Sequence, residues 1–179
     1  MDSLYTVGDT ATIKIDDSSW TGVVVNVGED SGQSTLTITG GRGVSKTIPP
    51  RFFRGLSVSS VVGDACTSAG VKFECSVTGT VDLWVRTEGL ASTELDRLAS
   101  KFGAEWSATP ANGIKFWVPS WTAIAPVPQF KSMDSTERRR EYYTPTMTLF
   151  PGYTVDGYQI DSAVFVSTHA QTTTRIYYR

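Results

Sequence analysis

The sequence predicts a mainly β protein: a small N-terminal barrel, then a β-rich α+β domain with one short helix and an extended arm. Short segments rich in Val, Ile, Thr and aromatic residues alternate apolar with polar positions, which is the periodicity of half-buried strands. Gly, Ser and Asp separate these segments and favour turns between them. One segment has the apolar spacing of an amphipathic helix.

The composition excludes several classes of protein. Of the 179 residues, 40% are hydrophobic and 11% aromatic, which is enough for a packed core. The formal charge of −2 argues against a general electrostatic grip on nucleic acid. The N-terminus shows no secretory leader, and no apolar run approaches the ~20 residues that cross a bilayer. We therefore expect synthesis in a cytosol, with Cys66 and Cys75 reduced unless adjacent strands allow them to bridge.

Residues 1–56 contain four predicted strands separated by turns: Thr10–Ile15, Trp20–Val27, Thr35–Thr39 and Val44–Ile48. Pro49 and Pro50 end the last strand, because proline cannot donate to a ladder. Short strands at this spacing favour a closed barrel, since closure leaves no exposed edge. We expect the first domain to be residues 1–56 and the second to be residues 57–179.

Two motifs in the first domain, Val7-Gly8-Asp9 and Gly22-Val23-Val24-Val25, resemble SH3-like barrels of the KOW and Tudor type. In those barrels a "vGD" step introduces the entry strand, and a glycine-bearing strand follows. The resemblance implies an SH3-like barrel and a binding role. Tudor-like modules that hold methylated side chains use an aromatic cage, for which the candidates are Tyr5, Trp20, Phe52 and Phe53. Such barrels also recur in phage virion proteins.

In the second domain, Val71–Val77 and Thr80–Thr87 predict a hairpin that turns at Thr78-Gly79. We expect Cys75 on its core face. Val81, Leu83 and Val85 share one face of the second strand, and we expect Trp84 to be exposed on the opposite face.

A helix is predicted over residues 92–102, capped by Ser92 and ended by Gly103. Further strands are predicted at Ile114–Val118, Thr146–Phe150, Tyr158–Val166 and Thr172–Tyr178.

Residues 119–145 combine prolines with large apolar residues and have no regular period. Proline holds the backbone extended and excludes a helix. Such a stretch is uncommon inside a compact domain. It either lies across its own sheet or is an arm that covers a neighbouring subunit.

Large aromatic and basic residues form the candidate interface, because Trp and Tyr bury much area with little loss of entropy. These residues are Trp84, Trp117, Trp121, Ile124, Val127, Phe130, Arg138, Arg139, Arg140, Tyr142 and Tyr143. The three arginines beside two tyrosines have the composition of a phosphate and base site. Flanking Glu137 and Glu141 favour solvated or intersubunit ion pairs instead.

Catalytic chemistry is sparse. Gly40–Thr47 looks like a phosphate-binding loop, but Ser45 occupies the required Gly position and prolines follow, so we predict a hairpin turn. His169 has no further ligands in the sequence to complete a metal site. The sequence also lacks the Gly-x-Ser-x-Gly motif with which a histidine would act in a catalytic triad. The acid pairs Asp16-Asp17, Glu29-Asp30 and Asp156 with Asp161 are typical of solvated turns.

These observations favour a non-enzymatic structural or assembly protein, similar in character to virion proteins of tailed bacteriophages. It would be a capsid decoration (cement), neck or tail protein, located in the virion. It would bind other virion proteins and copies of itself through the arm and the aromatic sheet faces, with no cofactor, metal or membrane. The alternative is an SH3-like binding module for nucleic acid, peptide or glycan. A hydrolase that uses paired carboxylates ranks third.

Overall fold

The computed structural model describes residues 5–15, 18–30, 33–143, 149, 151–167 and 172–179. The predicted mainly β fold is confirmed, and the described residues contain two α-helices rather than one. The chain divides into two compact units: Met1–Lys14 with Ser19–Val118, and Ile15–Ser18 with Pro119–Arg179. The division near residue 118 differs from the expected boundary at residue 56.

Unit 1 has ten strands and two helices in its described part. The strands are β1 (Thr10–Ile15), β2 (Ser18–Asp30), β3 (Gln33–Thr39), β4 (Thr47–Ile48), β5 (Arg51–Ser57), β6 (Phe73–Cys75), β7 (Thr80–Arg86), β8 (Gly89–Leu90), β9 (Glu105–Ala108) and β10 (Ile114–Trp117). The helices are α1 (Val58–Ala69) and α2 (Ala91–Phe102). The sheets have the strand orders β1-β2-β3, β6-β10-β9, β4-β8 and β5-β7.

The N-terminal strands do not complete the predicted SH3-like barrel. β1, β2 and β3 form a three-stranded sheet, while β4 and β5 pair with β8 and β7, which follow α1 in the chain. Arg42–Ser45 is a 3-10 helix, so the predicted hairpin turn at Gly40–Thr47 is wrong. The reason is that Ile48 and Phe53 are buried among the helices of unit 1. Because β4 and β5 contribute side chains to that core, they pair with β8 and β7 and not with β3.

Helix α1 was not predicted, although its sequence carries both end signals. The Ser57 side chain accepts a hydrogen bond from the Ser60 amide, and Gly70 adopts the left-handed conformation that ends a helix. The buried apolar residues of α1 follow helical spacing: Val58, Val61, Val62, Ala65, Cys66 and Ala69. This face packs into the unit 1 core.

Helix α2 confirms the prediction for residues 92–102. It begins one residue earlier, with Leu90 rather than Ser92 at the N-cap, and Gly103 ends it as expected. Glu94 lies in the first turn and Lys101 in the last, so both charges complement the helix dipole. Leu95 and Leu98 are fully buried in the same core as α1.

The predicted hairpin of residues 71–77 and 80–87 is wrong. β6 pairs in parallel with β10, and β7 pairs antiparallel with β5. The order β6-β10-β9 gives Cys75 a half-buried place beside the core. Within the described residues both cysteines are free, with Cys66 buried.

Unit 2 has six strands in its described part: β11 (Thr122–Ala123), β12 (Phe130–Asp134), β13 (Arg139–Tyr142), β14 (Tyr153–Val155), β15 (Tyr158–Ser167) and β16 (Thr172–Tyr178). They form one sheet in the order β11-β14-β15-β16-β13-β12. Its small core contains Tyr142, Leu149, Val155, Ile160 and Ile176. The strands predicted at Tyr158–Val166 and Thr172–Tyr178 are present, and the one at Thr146–Phe150 lies almost wholly outside the described residues.

Much of the predicted extended arm, residues 119–145, belongs to this sheet. β12 and β13 pair antiparallel around a turn at residues 135–138, and β11 pairs in parallel with β14. Of the two expected arrangements, the described part of the segment therefore takes the first and joins its own sheet. Backbone hydrogen bonding explains this arrangement. In an arm that covered a neighbouring subunit, the backbone N–H and C=O groups would have no partners in the free chain.

Candidate protein interface

The outer face of the β5–β7 ribbon exposes large apolar side chains. Phe52 and Val85 lie directly opposite one another, and Arg54 lies opposite Leu83. Phe52 is 62% exposed, Leu83 59% and Val85 53%. We call these four residues the β5–β7 outer face.

The inner side of the same ribbon is fixed in the core. Phe53 is buried, and Trp84, directly opposite it, donates its indole N–H to Glu94 on α2. The Arg97 guanidinium lies 5.0 Å from the Trp84 ring. Trp84 therefore faces inward, while Leu83 and Val85 face outward. The prediction that Leu83 and Val85 face the core is wrong, because the helices cover the Trp84 side. Val81, predicted on the same face, is buried as expected.

An ion pair joins this inner side to α1. Arg86 is 1% exposed, and its Nη1 lies 2.8 Å from Asp64 Oδ1. Its Nε donates to the Pro49 carbonyl at 2.9 Å. Its guanidinium stacks 5.5 Å from the Phe53 ring. Exposed Arg51 also pairs with Asp64. These contacts attach the inner side of the β5–β7 ribbon to α1.

The predicted arginine cluster is divided among separate partners in unit 2. Arg138 is exposed in the turn with φ 49°. Arg139 pairs with Glu137 at 2.9 Å and Asp134 at 3.6 Å. Arg140 is only 12% exposed in its side chain and pairs with Asp156 at 3.2 Å. Two of the three positive charges are therefore neutralised within the chain, which does not fit a phosphate-binding cluster.

Arg140 lies among aromatic rings. Its guanidinium carbon is 4.5 Å from the Tyr158 ring, 4.8 Å from Phe130 and 5.9 Å from Tyr142. Burial raises the pKa of the Tyr142 hydroxyl, which donates to Asp156 at 3.1 Å. Arg140 and Tyr142 thus hold β12 and β13 against β15 rather than forming a free surface.

On the same strand, Glu141 is a buried carboxylate with three partners. Thr173 donates to it at 2.7 Å and Lys131 at 3.1 Å, and Arg175 lies 3.5 Å away. The Thr173 hydrogen bond, with the two cations, lowers the pKa of Glu141 below its ordinary value. This network joins β12, β13 and β16.

The remaining predicted residues divide into exposed and packed groups. Val127, Phe130 and Tyr143 are exposed. Ile124 packs against the unit 2 core, and Trp121 lies under the Arg179 guanidinium at 5.6 Å. In unit 1, Trp117 is half-buried with the Lys115 ammonium 5.2 Å from its ring.

The other candidate sites do not assemble. Phe52 and Phe53 point to opposite sides of β5, so they do not converge as an aromatic cage. Asp156 pairs with Arg140 and Asp161 with Arg179, so these carboxylates serve different partners. His169 and Asp16-Asp17 lie outside the described residues, as do the side chains of Glu29-Asp30.

The metal-ligating residue types are dispersed in the part of the chain that the structure describes. It contains no group of three or more His, Cys, Asp or Glu residues placed to hold a metal ion. Neither helix among the described residues has the length and apolarity to cross a membrane.

Three solved structures share this fold over nearly the whole chain. The 43 kDa tail protein of prophage MuSo2 from Shewanella oneidensis has a TM-score of 0.70 at 12% identity, covering 96% of this chain and 79% of that one. The tail protein from Neisseria meningitidis MC58 has a TM-score of 0.65 at 10% identity, covering 95% and 83%.

The third is an Escherichia coli component of the type VI secretion system, described as similar to the bacteriophage T4 tail proteins gp27 and gp5. Its TM-score is 0.61 at 10% identity, covering 97% of this chain and 64% of that one. This chain therefore spans less than two thirds of the E. coli protein. The chain thus has a fold found in phage tail proteins. No protein-family model and no curated protein matches its sequence.

Sequence reasoning missed the β5–β7 outer face because it assigned Leu83 and Val85 to the core. The alternation in Arg51-Phe52-Phe53-Arg54 contained the relevant signal. A strand with large aromatics at adjacent positions must expose one of them unless both of its faces are covered.

Proposed function

We propose that this protein is a non-enzymatic structural component of a phage tail or a related injection apparatus. The observation that carries the proposal is the match to two tail proteins and one type VI secretion component over at least 95% of the chain. Three such proteins sharing one fold favour a tail role over the capsid-decoration role that the sequence left open. Fold alone does not set function, so surfaces must supply the rest.

The surfaces of unit 2 support an assembly role. Val127, Phe130 and Tyr143 are exposed beside the edge strand β12. Exposed aromatic residues next to an unpaired strand edge are typical of protein contacts, since the edge offers backbone hydrogen bonds and the rings offer area. We propose that this surface contacts another tail protein.

The test is to locate the chain in particles produced by the phage or prophage that encodes it. Tails and heads are separated on a gradient, and each fraction is probed with an antibody to the chain. We expect the chain in the tail fraction. Its presence only in heads would replace the tail role with decoration, and its absence from particles would overturn the proposal.

A variant test addresses the unit 2 surface. Val127→Ser combined with Tyr143→Ser should reduce incorporation into tails, because it removes two exposed apolar side chains that lie outside the unit 2 core. Val164→Ser is the matched control, since Val164 is similarly exposed on β15. Equal incorporation of the two variants would show that this surface is not the contact.

A further inference from the structure

The turn between β12 and β13 holds Arg138 in the left-handed backbone conformation, with φ 49°. Glycine is the default residue in this conformation and Asn or Asp tolerate it, because a larger side chain crowds its own backbone. Four described non-glycine residues have such a positive φ: Asn112, Trp121, Arg138 and Asp156. Two of them are of the tolerant kind, whereas Trp121 and Arg138 are strained. Strain of this kind persists where the fold or a function requires the residue.

The fold accounts for the strain at Trp121. Its N–H donates to the Gly152 carbonyl at 3.2 Å, and its carbonyl accepts a hydrogen bond from the Thr154 hydroxyl at 3.4 Å. Its ring lies 5.6 Å from the Arg179 guanidinium. Contacts within its own chain therefore offset the strain at Trp121.

The fold does not account for Arg138 in the same way, because other groups set the conformation of its turn. Asp134 Oδ1 accepts hydrogen bonds from the N–H groups of Thr136 at 3.0 Å and Glu137 at 3.1 Å. The Arg138 carbonyl accepts from the Tyr178 N–H at 3.0 Å. These bonds use backbone groups and the Asp134 carboxylate, so they would form with another residue at position 138. The Arg138 side chain is thus not needed to build the turn.

The Arg138 side chain also differs from its neighbours in its charge environment. It is exposed, and it forms no ion pair within the part of the chain that the structure describes. Arg139 and Arg140, in contrast, both pair with acidic residues of unit 2. The turn therefore presents one unpaired guanidinium on a backbone that hydrogen bonds hold in place. A group that is fixed before binding loses little entropy when it binds.

The surrounding charges select a single carboxylate as the partner of Arg138. The nearby carboxylates of Asp134 and Glu137 have side chains that are 37% and 54% exposed. They would repel a polyanion such as nucleic acid, whose binding needs several unopposed cations. One planar guanidinium matches one carboxylate in a bidentate pair. An Asp or Glu side chain of another protein supplies such a group.

We propose that Arg138 is an interaction residue that binds an Asp or Glu carboxylate of a neighbouring tail protein. Its strained backbone is retained because the side chain serves this contact and not the fold. The inference rests on the proposed function in one respect, that the neighbour is a tail component. It adds a second contact, because Tyr143 lies at the opposite end of the β12–β13 pair from this turn.

The first experiment compares stability with assembly, which the proposal separates. Arg138→Asn removes the charge and suits the left-handed conformation, so the purified variant should unfold at the same or a higher urea concentration than the wild type. Its incorporation into tails should fall about tenfold or more, because an ion pair across an interface is lost. Arg138→Lys keeps the charge without the bidentate geometry, so its incorporation should lie between the two.

The matched control for this experiment is Thr136→Ala, because Thr136 is exposed in the same turn and carries no charge. It should leave incorporation unchanged. An Arg138→Asn variant that enters tails as well as the wild type overturns the proposal. A clearly less stable Arg138→Asn variant also overturns it, because the side chain would then serve the fold.

The second experiment identifies the partner group by charge reversal. Arg138→Glu places like charges together and should block tail assembly in the phage that encodes the chain. Phages that regain growth are selected and sequenced, and we expect an Asp or Glu of another tail protein to have changed to Lys or Arg. Suppressors that alter no acidic residue of another protein overturn the carboxylate assignment. Binding of the wild type, but not of Arg138→Asn, to a DNA duplex overturns it in favour of a phosphate.

The outcomes separate this inference from the proposed function. Absence of the wild-type chain from tails contradicts the tail role, while the urea unfolding of Arg138→Asn still shows whether the side chain serves the fold. Equal amounts of wild type and Arg138→Asn in tails contradict the contact and leave the tail role standing.

Discussion

Replacing Arg86 by Met tests the ion pair that holds the β5–β7 ribbon to α1. Arg86 is almost fully buried, with Asp64 Oδ1 at 2.8 Å from its Nη1 and the Pro49 carbonyl at 2.9 Å from its Nε. The Nη1 contact lacks hydrogen-bond alignment, so it acts as an ion pair. Met keeps the apolar stem packed and removes only the charge and its donors.

The magnitude follows from three contributions. Breaking a buried pair by removing one partner costs about 3–5 kcal/mol. The Asp64 side chain is 18% exposed and keeps Arg51, so we take the lower end of that range. Arg51 is 59% exposed and its own pairing adds little. The lost hydrogen bond adds about 1 kcal/mol, and the sulfur contact of Met with Phe53 offsets about that much. We expect a loss of about 3 kcal/mol.

Urea unfolding followed by tryptophan fluorescence measures the change, because Trp84 lies beside Phe53 in the same ribbon. The double variant Arg86→Met with Asp64→Asn completes a cycle. It should lose clearly less free energy of unfolding than the two single changes added together, since each single change leaves one charge unpaired. A loss under about 1 kcal/mol for Arg86→Met, or strict additivity, would refute the assigned role of this pair.

Three further predictions concern Gly43, the two cysteines and Glu141. Gly43→Ala should lower the free energy of unfolding by about 2 kcal/mol in urea, because its Cβ would clash with the Val71 side chain. Native protein should react with one equivalent of a thiol reagent per chain, at half-buried Cys75. Cys66 should not react, because burial raises the pKa of its thiol to about 11. The lowered pKa of Glu141 gives stability that is present above the ordinary Glu pKa and is lost as pH falls through the lowered value. Glu141→Gln should flatten this acid dependence in pH-resolved unfolding.

Each of these has its own control. Gly89→Ala introduces a Cβ with nothing within 4 Å and should leave stability nearly unchanged. Equal losses for both glycine variants would contradict the clash. Two reactive thiols in the native state would contradict the burial of Cys66. An unchanged acid slope in Glu141→Gln would show that other carboxylates carry it.

Helix α2 could be predicted from sequence, and helix α1 could not, for a reason of propensity. α2 combines good helix formers, such as Leu95, Leu98 and Lys101, with a capping glycine. α1 contains three Val, three Ser, one Gly and one Thr among twelve residues, all poor helix formers. Its helical state comes from burial of one face, which is a tertiary effect. The spacing from Val58 to Ala69 was the available signal.

Strand pairing was the least predictable part of the fold. Thr78-Gly79 between two apolar runs is a local hairpin signal, yet β7 pairs with β5, which precedes α1. Because α1 lies between β5 and β7 in the chain, the pairing depended on a helix that the sequence did not reveal. The side of β7 that faces the core depended on both helices, because Trp84 donates to Glu94 on α2 and Arg86 pairs with Asp64 on α1. Alternation correctly separated Leu83 and Val85 from Trp84 but did not show which side is covered. Val81, on the side of Leu83 and Val85 by alternation, is buried.

The candidate site shows the same limit. Val127, Phe130 and Tyr143 were predicted as interface residues and are exposed, while Arg140 and Tyr142 turn inward. The first group is exposed because residues 119–145 contain more apolar side chains than the unit 2 sheet buries. The inward group was unpredictable because Asp156, the partner of Arg140, lies in a turn beyond the end of the segment. The interface role itself stays a prediction.

The β5–β7 ribbon is difficult to explain as a product of folding alone. Within the described residues the ribbon has two strands, so each strand has an unpaired edge. Natural edge strands are protected by inward charges, prolines or covering loops, because an uncovered apolar edge aggregates. Here Phe52, Leu83 and Val85 remain exposed, although polar residues at these positions would leave the core untouched. A partner that covered these side chains would remove the cost of their exposure to the free chain.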